Sequence, residues 1–243
     1  MRPYNLFAFH GFMGKQEEWK LAGLPIHQRS SLYPYGFNEL CSITPAHGLT
    51  FWGDHFIDTN LTSASPDCSI LLGYSLGGRL GMHSLLQQPL LWKAAIIVSA
   101  HPGLSDPEEK KSRMNSDEVW AERFELDDWE VVMRDWNAQV VFNSSPHTFT
   151  RNPEAYSRVE LAAALRHWSL GKQEDLTRKL EGSSVPILWI TGENDIRYVN
   201  ISKKLHFDHP KSCKWIAPNS AHRVPWEQPK AFSEKVGIFL DSL

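Results

Sequence analysis

Short, nearly continuous apolar runs alternate along the chain with longer stretches whose apolar residues recur every three or four positions. The runs at residues 6–9, 41–43, 69–74, 94–99, 186–191 and 213–217 predict buried strands, because a parallel sheet covered on both faces needs apolar side chains on both sides of each strand. Residues 76–88, 198–205 and 229–240 carry the helical period between them. Strands alternating with helices predict an α/β fold with a mostly parallel central sheet flanked by helices. One stretch breaks the alternation. Residues 102–168 show helical patterns and no convincing strand: Arg113, Asp117, Trp120 and Phe124 share one helical face, Trp129, Met133 and Trp136 repeat the spacing, and residues 159–170 continue it. The expectation is one domain over residues 1–243 with a helical cap at 102–168 inserted above the sheet. Within the cap, Asn143-Ser144-Ser145-Pro146 reads as a loop.

Composition narrows the function classes. The 243 residues include 25 Lys plus Arg against 28 Asp plus Glu, a net charge of -3, so the chain as a whole has no basic footprint for nucleic acid. Cys41, Cys68 and Cys213 are far apart and form neither a zinc nor a redox pair. There is no H-E-x-x-H, P-loop or dinucleotide fingerprint, so neither metal catalysis nor nucleotide binding is expected. Residues 4–9 are too short for a secretory apolar region, and no run reaches membrane-spanning length. A soluble, cytoplasmic protein is the expectation, with oligomeric state not legible. The 10 Trp are a surplus that needs a location.

The candidate chemistry begins at Gly73-Tyr74-Ser75-Leu76-Gly77, a G-x-S-x-G between a predicted strand and a predicted helix. A serine on so sharp a turn projects its hydroxyl above the sheet, and the helix start beyond it favours negative charge. Later strands end at Gly192-Glu193-Asn194-Asp195 and before Ala221-His222, in the chain order serine, acid, histidine. Ser75, Asp195 and His222 form the candidate triad, with Glu193 a rival acid in the same loop. His10-Gly11-Phe12-Met13-Gly14 follows the first strand, so the backbone N–H groups of Phe12 and Leu76 are the candidate oxyanion hole. Arg79 lies one helical turn past Ser75, and a cation there calls for an anion, supplied by protein or substrate.

Gly73-Tyr74-Ser75-Leu76-Gly77-Gly78-Arg79, His101-Pro102-Gly103-Leu104, and Ser116-Asp117 followed by Trp120-Ala121 and Arg123-Phe124 together resemble one branch of the α/β-hydrolase superfamily. That branch is the 2-succinyl-6-hydroxy-2,4-cyclohexadiene-1-carboxylate synthases of menaquinone and phylloquinone biosynthesis. Asp135-Trp136, Gln139-Val140-Val141-Phe142, and the opening segment with Trp19 are also similar to it. The resemblance implies a cofactor-free lyase that eliminates pyruvate from a small multi-carboxylate substrate, with the triad acting as a base. It places Arg79, Arg113 and Arg151 at carboxylate-binding positions and Trp136 and Tyr74 in the pocket lining. The sequence departs from the branch at Ala221, at Pro225 in place of a second histidine, at Arg197 and at Ala46. A serine hydrolase acting on a small ester, thioester or carbon–carbon bond is the competing enzyme reading. A non-catalytic binding module is a third, disfavoured by the intact Ser75, Asp195 and His222.

Overall fold

The computed structural model describes residues 4–24, 31–61, 68–142 and 149–243. Six strands form one sheet: β1 (Asn5–Phe9), β2 (Ser31–Tyr35), β3 (Ser69–Tyr74), β4 (Ala94–Val98), β5 (Ile187–Gly192) and β6 (Cys213–Ala217). Their order is β2-β1-β3-β4-β5-β6, and every pairing is parallel. The central strands β3, β4 and β5 are buried along their whole length, which is why they read as unbroken apolar runs.

Ten α-helices and several short 3-10 turns surround the sheet among the described residues, the α-helices being α1 (Phe37–Cys41), α2 (Gly48–Asn60), α3 (Leu76–Gln87), α4 (Pro107–Leu126), α5 (Trp129–Asn137), α6 (Arg158–His167), α7 (Thr177–Glu181), α8 (Ile196–Lys204), α9 (Val224–Glu227) and α10 (Pro229–Asp241). Alternate residues of each strand face opposite layers. Phe7, Phe9, Leu71 and Ile97 pack into one core with α2, α3 and the helices between β4 and β5. Leu6, Ala8, Ile70 and Leu72 pack into the other with Trp226, Phe232 and Phe239 from α9 and α10. Helices therefore cover both faces, as parallel strands require.

One predicted strand is not a strand. Residues 41–43 close α1 and the turn after it; Cys41 and Ile43 are buried, but the Ser42 backbone is helical. Burial without a pairing partner produced an apolar run that periodicity alone cannot assign. The sheet instead takes β2, which carries Pro34 in register with Ala8. β2 is an edge strand, the position where a proline costs no ladder hydrogen bond.

Between β4 and β5 the described residues hold no strand. Asp106 and Asp128 start α4 and α5 by accepting backbone N–H groups of the first turn. α4 packs on α6, burying Ala121, Phe124, Leu161 and Leu165. The insertion returns to the core a little later than residue 168: Leu176 N donates to Pro102 O at 2.8 Å and closes its base. The loop expected at Asn143–Pro146 lies outside the described residues.

Candidate active site

Ser75 sits between β3 and α3 with φ 52° and ψ -114°, a region that side-chain-bearing residues rarely adopt. The turn closes because Ser75 N donates to Val98 O at 2.9 Å and Arg79 N donates to Ser75 O at 3.1 Å. A Cβ on Gly77 would lie 2.3 Å from Phe9 O, so only glycine lets α3 leave this close to β1.

His222 stands on the loop after β6. Its Nε2 is 3.1 Å from Ser75 Oγ, and its Nδ1 is 2.7 Å from Asp195 Oδ2. His222 and Asp195 are both buried, 3% and 6% exposed, so water does not screen their contact. The two rival acids separate by geometry. Glu193 is turned outward, where its carboxylate accepts the Asn219 N–H at 3.0 Å, and Asp195 is the acid that meets the imidazole. The histidine loop is itself held by Glu227, whose carboxylate accepts the Ala221 N–H, the Ser220 hydroxyl at 2.9 Å and the Arg223 N–H at 3.2 Å. Tyr198 of α8 lies edge-on to the His222 ring, 4.9 Å between centroids.

The loop after β1 lies against this turn: a Cβ on Gly11 would be 2.9 Å from the Tyr74 ring and 3.3 Å from Ser75 Cβ. Gly11 N donates to His10 Nδ1 at 2.8 Å and Gly14 N to Gly11 O at 3.0 Å. Among the described residues, no protein acceptor takes the N–H of Phe12 or of Leu76.

A cavity of about 80 Å³ opens at Ser75, lined among others by Phe12, Tyr74, Trp136, Arg151, Arg223 and Trp226. Of the predicted site residues, the fold thus gathers Ser75, Tyr74, Phe12, Trp136 and Arg151 around one space. Arg151 is already engaged there: both terminal nitrogens of its guanidinium donate to Glu18, Nη2 at 3.1 Å. Glu18 also lies 3.0 Å from His10 Nε2. Burial alone would raise the Glu18 carboxyl, but its contacts with His10 and Arg151 outweigh that and hold it at about 2.

Arg79 and Arg113 do not line this cavity. Arg79 is buried, its Nε donating to Gln173 Oε1 at 2.6 Å and its Nη2 to the Trp168 carbonyl at 2.7 Å. Both acceptors are neutral. Burial, with the nearby Arg113 charge adding to it, lowers Arg79 to about 9. Arg113 Nε lies 2.8 Å from both carboxylate oxygens of Asp117, the i+4 residue of α4. Position one turn past the serine fixed the Cα of Arg79 but not the direction of its long side chain.

Three contributors were not singled out in the sequence: Glu18, Arg223 and Tyr198. Glu18 is 57 positions before Ser75 in a turn that no motif marks, and its role depends on a partner 133 residues away. Arg223 had a signal, its place directly after the histidine, but an arginine in a loop reads as solvated surface. Among the described residues, no helix is long and apolar enough to cross a membrane, and no three His, Cys, Asp or Glu side chains gather as a metal site.

The sequence matches the Alpha/beta hydrolase family over residues 6–235. A 2-succinyl-6-hydroxy-2,4-cyclohexadiene-1-carboxylate synthase from Enterobacter sp. (strain 638) is 32% identical over 236 residues, covering 94% of this chain and 88% of that protein. A protein of the same name from Pectobacterium atrosepticum is 27% identical, covering 97% of this chain and 93% of its own length. Among solved structures, MenH from S. aureus superposes with a TM-score of 0.84 at 20% identity, covering all of this chain (100%) and 95% of that one. The epoxide hydrolase CorEH superposes at 0.70 with 15% identity over 99% of this chain and 92% of its own, a likeness of fold alone. Six parallel strands, a serine on the turn after the third of them, and relatives of this identity and coverage lead to one assignment: the chain belongs to the α/β-hydrolase superfamily and, within it, to the 2-succinyl-6-hydroxy-2,4-cyclohexadiene-1-carboxylate synthase family.

Proposed function

We propose that the protein is a lyase that eliminates pyruvate from 2-succinyl-5-enolpyruvyl-6-hydroxy-3-cyclohexene-1-carboxylate to give 2-succinyl-6-hydroxy-2,4-cyclohexadiene-1-carboxylate. The observation that carries this reading is 32% identity to a synthase of that name over 94% of this chain, joined to the hydrogen-bonded series Asp195–His222–Ser75 beside a cavity that Ser75 lines. His222 Nε2 takes the Ser75 hydroxyl proton, and the Ser75 oxygen takes a ring proton next to the succinyl carbonyl. The electron pair moves onto that carbonyl oxygen, where the N–H groups of Phe12 and Leu76 hold it. Its return forms a C2=C3 double bond, the existing C3=C4 pair shifts to C4=C5, and the C5–O bond to the enolpyruvyl group breaks; the departing enolpyruvate takes, on its terminal carbon, the proton held by His222 and becomes pyruvate. Asp195 keeps Nδ1 protonated, so Nε2 faces Ser75 as a base. Protons and electron pairs balance within the substrate and triad, with no change of oxidation state, so the proposed step needs no cofactor.

The substrate carries several carboxylates, and Arg79, Arg113 and Arg151 are the proposed groups for them. That the described hydrogen-bond acceptors of Arg79 are both neutral supports its part. Tyr74 and Trp136 line the ring's place. A small-molecule reaction of this kind suits a cytoplasmic enzyme without nucleic-acid partners.

The test is pyruvate release coupled to lactate dehydrogenase, run beside cleavage of a p-nitrophenyl ester. Pyruvate release that Ser75→Ala abolishes, with slow ester cleavage, is the expected result. A folded enzyme that releases no pyruvate and turns over esters rapidly is instead a serine hydrolase, a reading favoured by the same Ser–His–Asp series.

A further inference from the structure

One hydrogen bond from the insertion reaches the loop that carries Phe12. Tyr156 lies just before α6, and its hydroxyl donates to the Met13 carbonyl at 2.7 Å in a buried setting. That carbonyl belongs to the Met13–Gly14 peptide, whose N–H, on Gly14, donates to the Gly11 carbonyl at 3.0 Å. The Gly11 carbonyl belongs in turn to the Gly11–Phe12 peptide, whose N–H is that of Phe12. The Tyr156 hydroxyl, two peptide units and the Phe12 N–H thus form one hydrogen-bonded series. The geometry points to Tyr156 as a positioning residue of the oxyanion hole: its hydroxyl orients and polarises the Phe12 N–H through this series.

Each link has a physical reason. Residues 11–14 make a β-turn closed by the Gly14–Gly11 bond, and its third residue, Met13, has φ 57°. Glycine takes that position most readily, and a residue with a β carbon stays there only where its surroundings fix it. Met13 is buried, and the Tyr156 bond sets the direction of the peptide that follows it. Beyond the turn, Gly14 O accepts the Phe37 N–H at 2.7 Å, and a Cβ on Gly14 would overlap the His10 ring. Tyr156 is itself held: its ring stacks on Trp129 at 6.0 Å, and the carbonyl of Ala155 before it accepts from Asn38 Nδ2 at 2.9 Å. Burial raises its phenol to about 12, so the hydroxyl keeps its proton and donates. At the other end of the series, Phe12 lines the cavity with Ser75, and a Cβ on Gly11 would fall 3.3 Å from Ser75 Cβ. Hydrogen bonds in series strengthen one another where the dielectric is low, so a donor on the Met13 carbonyl makes the Phe12 N–H a better donor. That gain counts most when negative charge develops on the substrate oxygen.

The inference rests on the place of the Phe12 N–H in the proposed reaction, so its test reads two reactions and one binding step. Tyr156→Phe removes the hydroxyl and keeps the ring on Trp129. Losing an oxyanion donor outright lowers kcat by about 10²–10³-fold, and loosening one that stays in place should cost less, about tenfold. Tyr156→Phe should show a fall of about tenfold in kcat both for pyruvate release and for p-nitrophenyl acetate cleavage, because each puts negative charge in the same hole. KM for the lyase substrate, and Kd for the keto acid 4-oxo-4-phenylbutanoate by tryptophan fluorescence, should stay within about twofold of wild type, since neither molecule carries that charge when bound. A kcat within about twofold of wild type in either reaction that the wild type performs overturns the inference. So does a loss of ligand affinity as large as the loss of rate, the mark of a merely structural role. If Tyr156→Phe does not fold, hydrogen exchange on the wild type decides: a protected Gly14 amide upholds the series, and one exchanging at the rate of free chain overturns it. A wild type that releases no pyruvate, but whose ester cleavage falls with Tyr156→Phe, leaves Tyr156 in place and refutes the lyase reading instead. A wild type that turns over neither substrate overturns both.

Discussion

Ser75 holds a backbone conformation that costs about 1–3 kcal/mol for a residue with a side chain. Glycine has no such penalty, so Ser75→Gly should raise the unfolding free energy by about 1 kcal/mol while abolishing turnover. A thermal melt beside the pyruvate assay checks both, and a melting point lower than that of wild type would show that the turn is not strained. Asp195→Asn acts differently. An asparagine can donate to Nδ1 and leave the proton on Nε2, facing Ser75, so kcat should fall about 10³-fold or more with the fold intact. The reciprocal change Glu193→Gln should leave kcat within about twofold, since among the described residues that carboxylate accepts from the exposed Asn219 N–H and not from His222. Motif spacing singles out Ser75 and His222 because strand ends and chain order constrain them, and the fold sets their side chains 3.1 Å apart. It left the acid open, since two carboxylates in one loop differ only in side-chain direction. Side-chain direction also sets Arg79 away from the cavity that Arg223 lines.

At the scale of elements, strands read well where both faces are buried and poorly at the edge. β3, β4 and β5 are apolar throughout, and the sequence marks them within a residue or two. β2 is half-exposed and holds Pro34, so it lacks the pattern that identifies the others. The turn at Gln16–Ala22 after β1 is equally silent in sequence, yet it supplies Glu18, which holds Arg151 of the insertion and neighbours His10. The native Glu18 carboxyl loses its proton more readily than the unfolded one, about 2 against 4.5. Its contribution is therefore complete above pH 4.5 and drains away as pH falls toward 2. The difference corresponds to about 3 kcal/mol as an order of magnitude. Glu18→Gln should lower stability at neutral pH by a few kcal/mol, at most about that amount, and should flatten the acid limb of the stability curve. Denaturant unfolding across that pH range makes the comparison. Parallel curves for variant and wild type would place the ion pair's worth near zero.

The helices between β4 and β5 share the cavity at Ser75 with the sheet layer, and Trp120, Trp136 and Trp226 lie where the two meet. Trp136 packs against Phe12 at 4.9 Å and Trp120 at 5.0 Å, and Trp226 stacks on His10 at 4.6 Å. The resulting cavity of about 80 Å³ is smaller than pockets for ligands of drug size, which start near 300 Å³. We expect one wall to yield when a six-membered ring bearing succinyl, enolpyruvyl and carboxylate groups enters. The anchors of the insertion show which. Its later part is pinned to the sheet layer by Arg151 on Glu18, by the Tyr156 hydroxyl donating to Met13 O at 2.7 Å, and by Asn38 Nδ2 donating to Ala155 O at 2.9 Å. α4 is packed along α6. The end of α5 and the turn after it meet the sheet layer through aromatic contacts of Trp136 and Phe142 and the long Asn137–Arg223 bond. Binding should therefore move and then order residues 134–142. Saturating 4-oxo-4-phenylbutanoate should slow amide hydrogen exchange there by about tenfold while the β3–β5 amides stay unchanged. Slowing confined to α6, or none anywhere in the insertion, would mean that the wall on the other side of the cavity gives way.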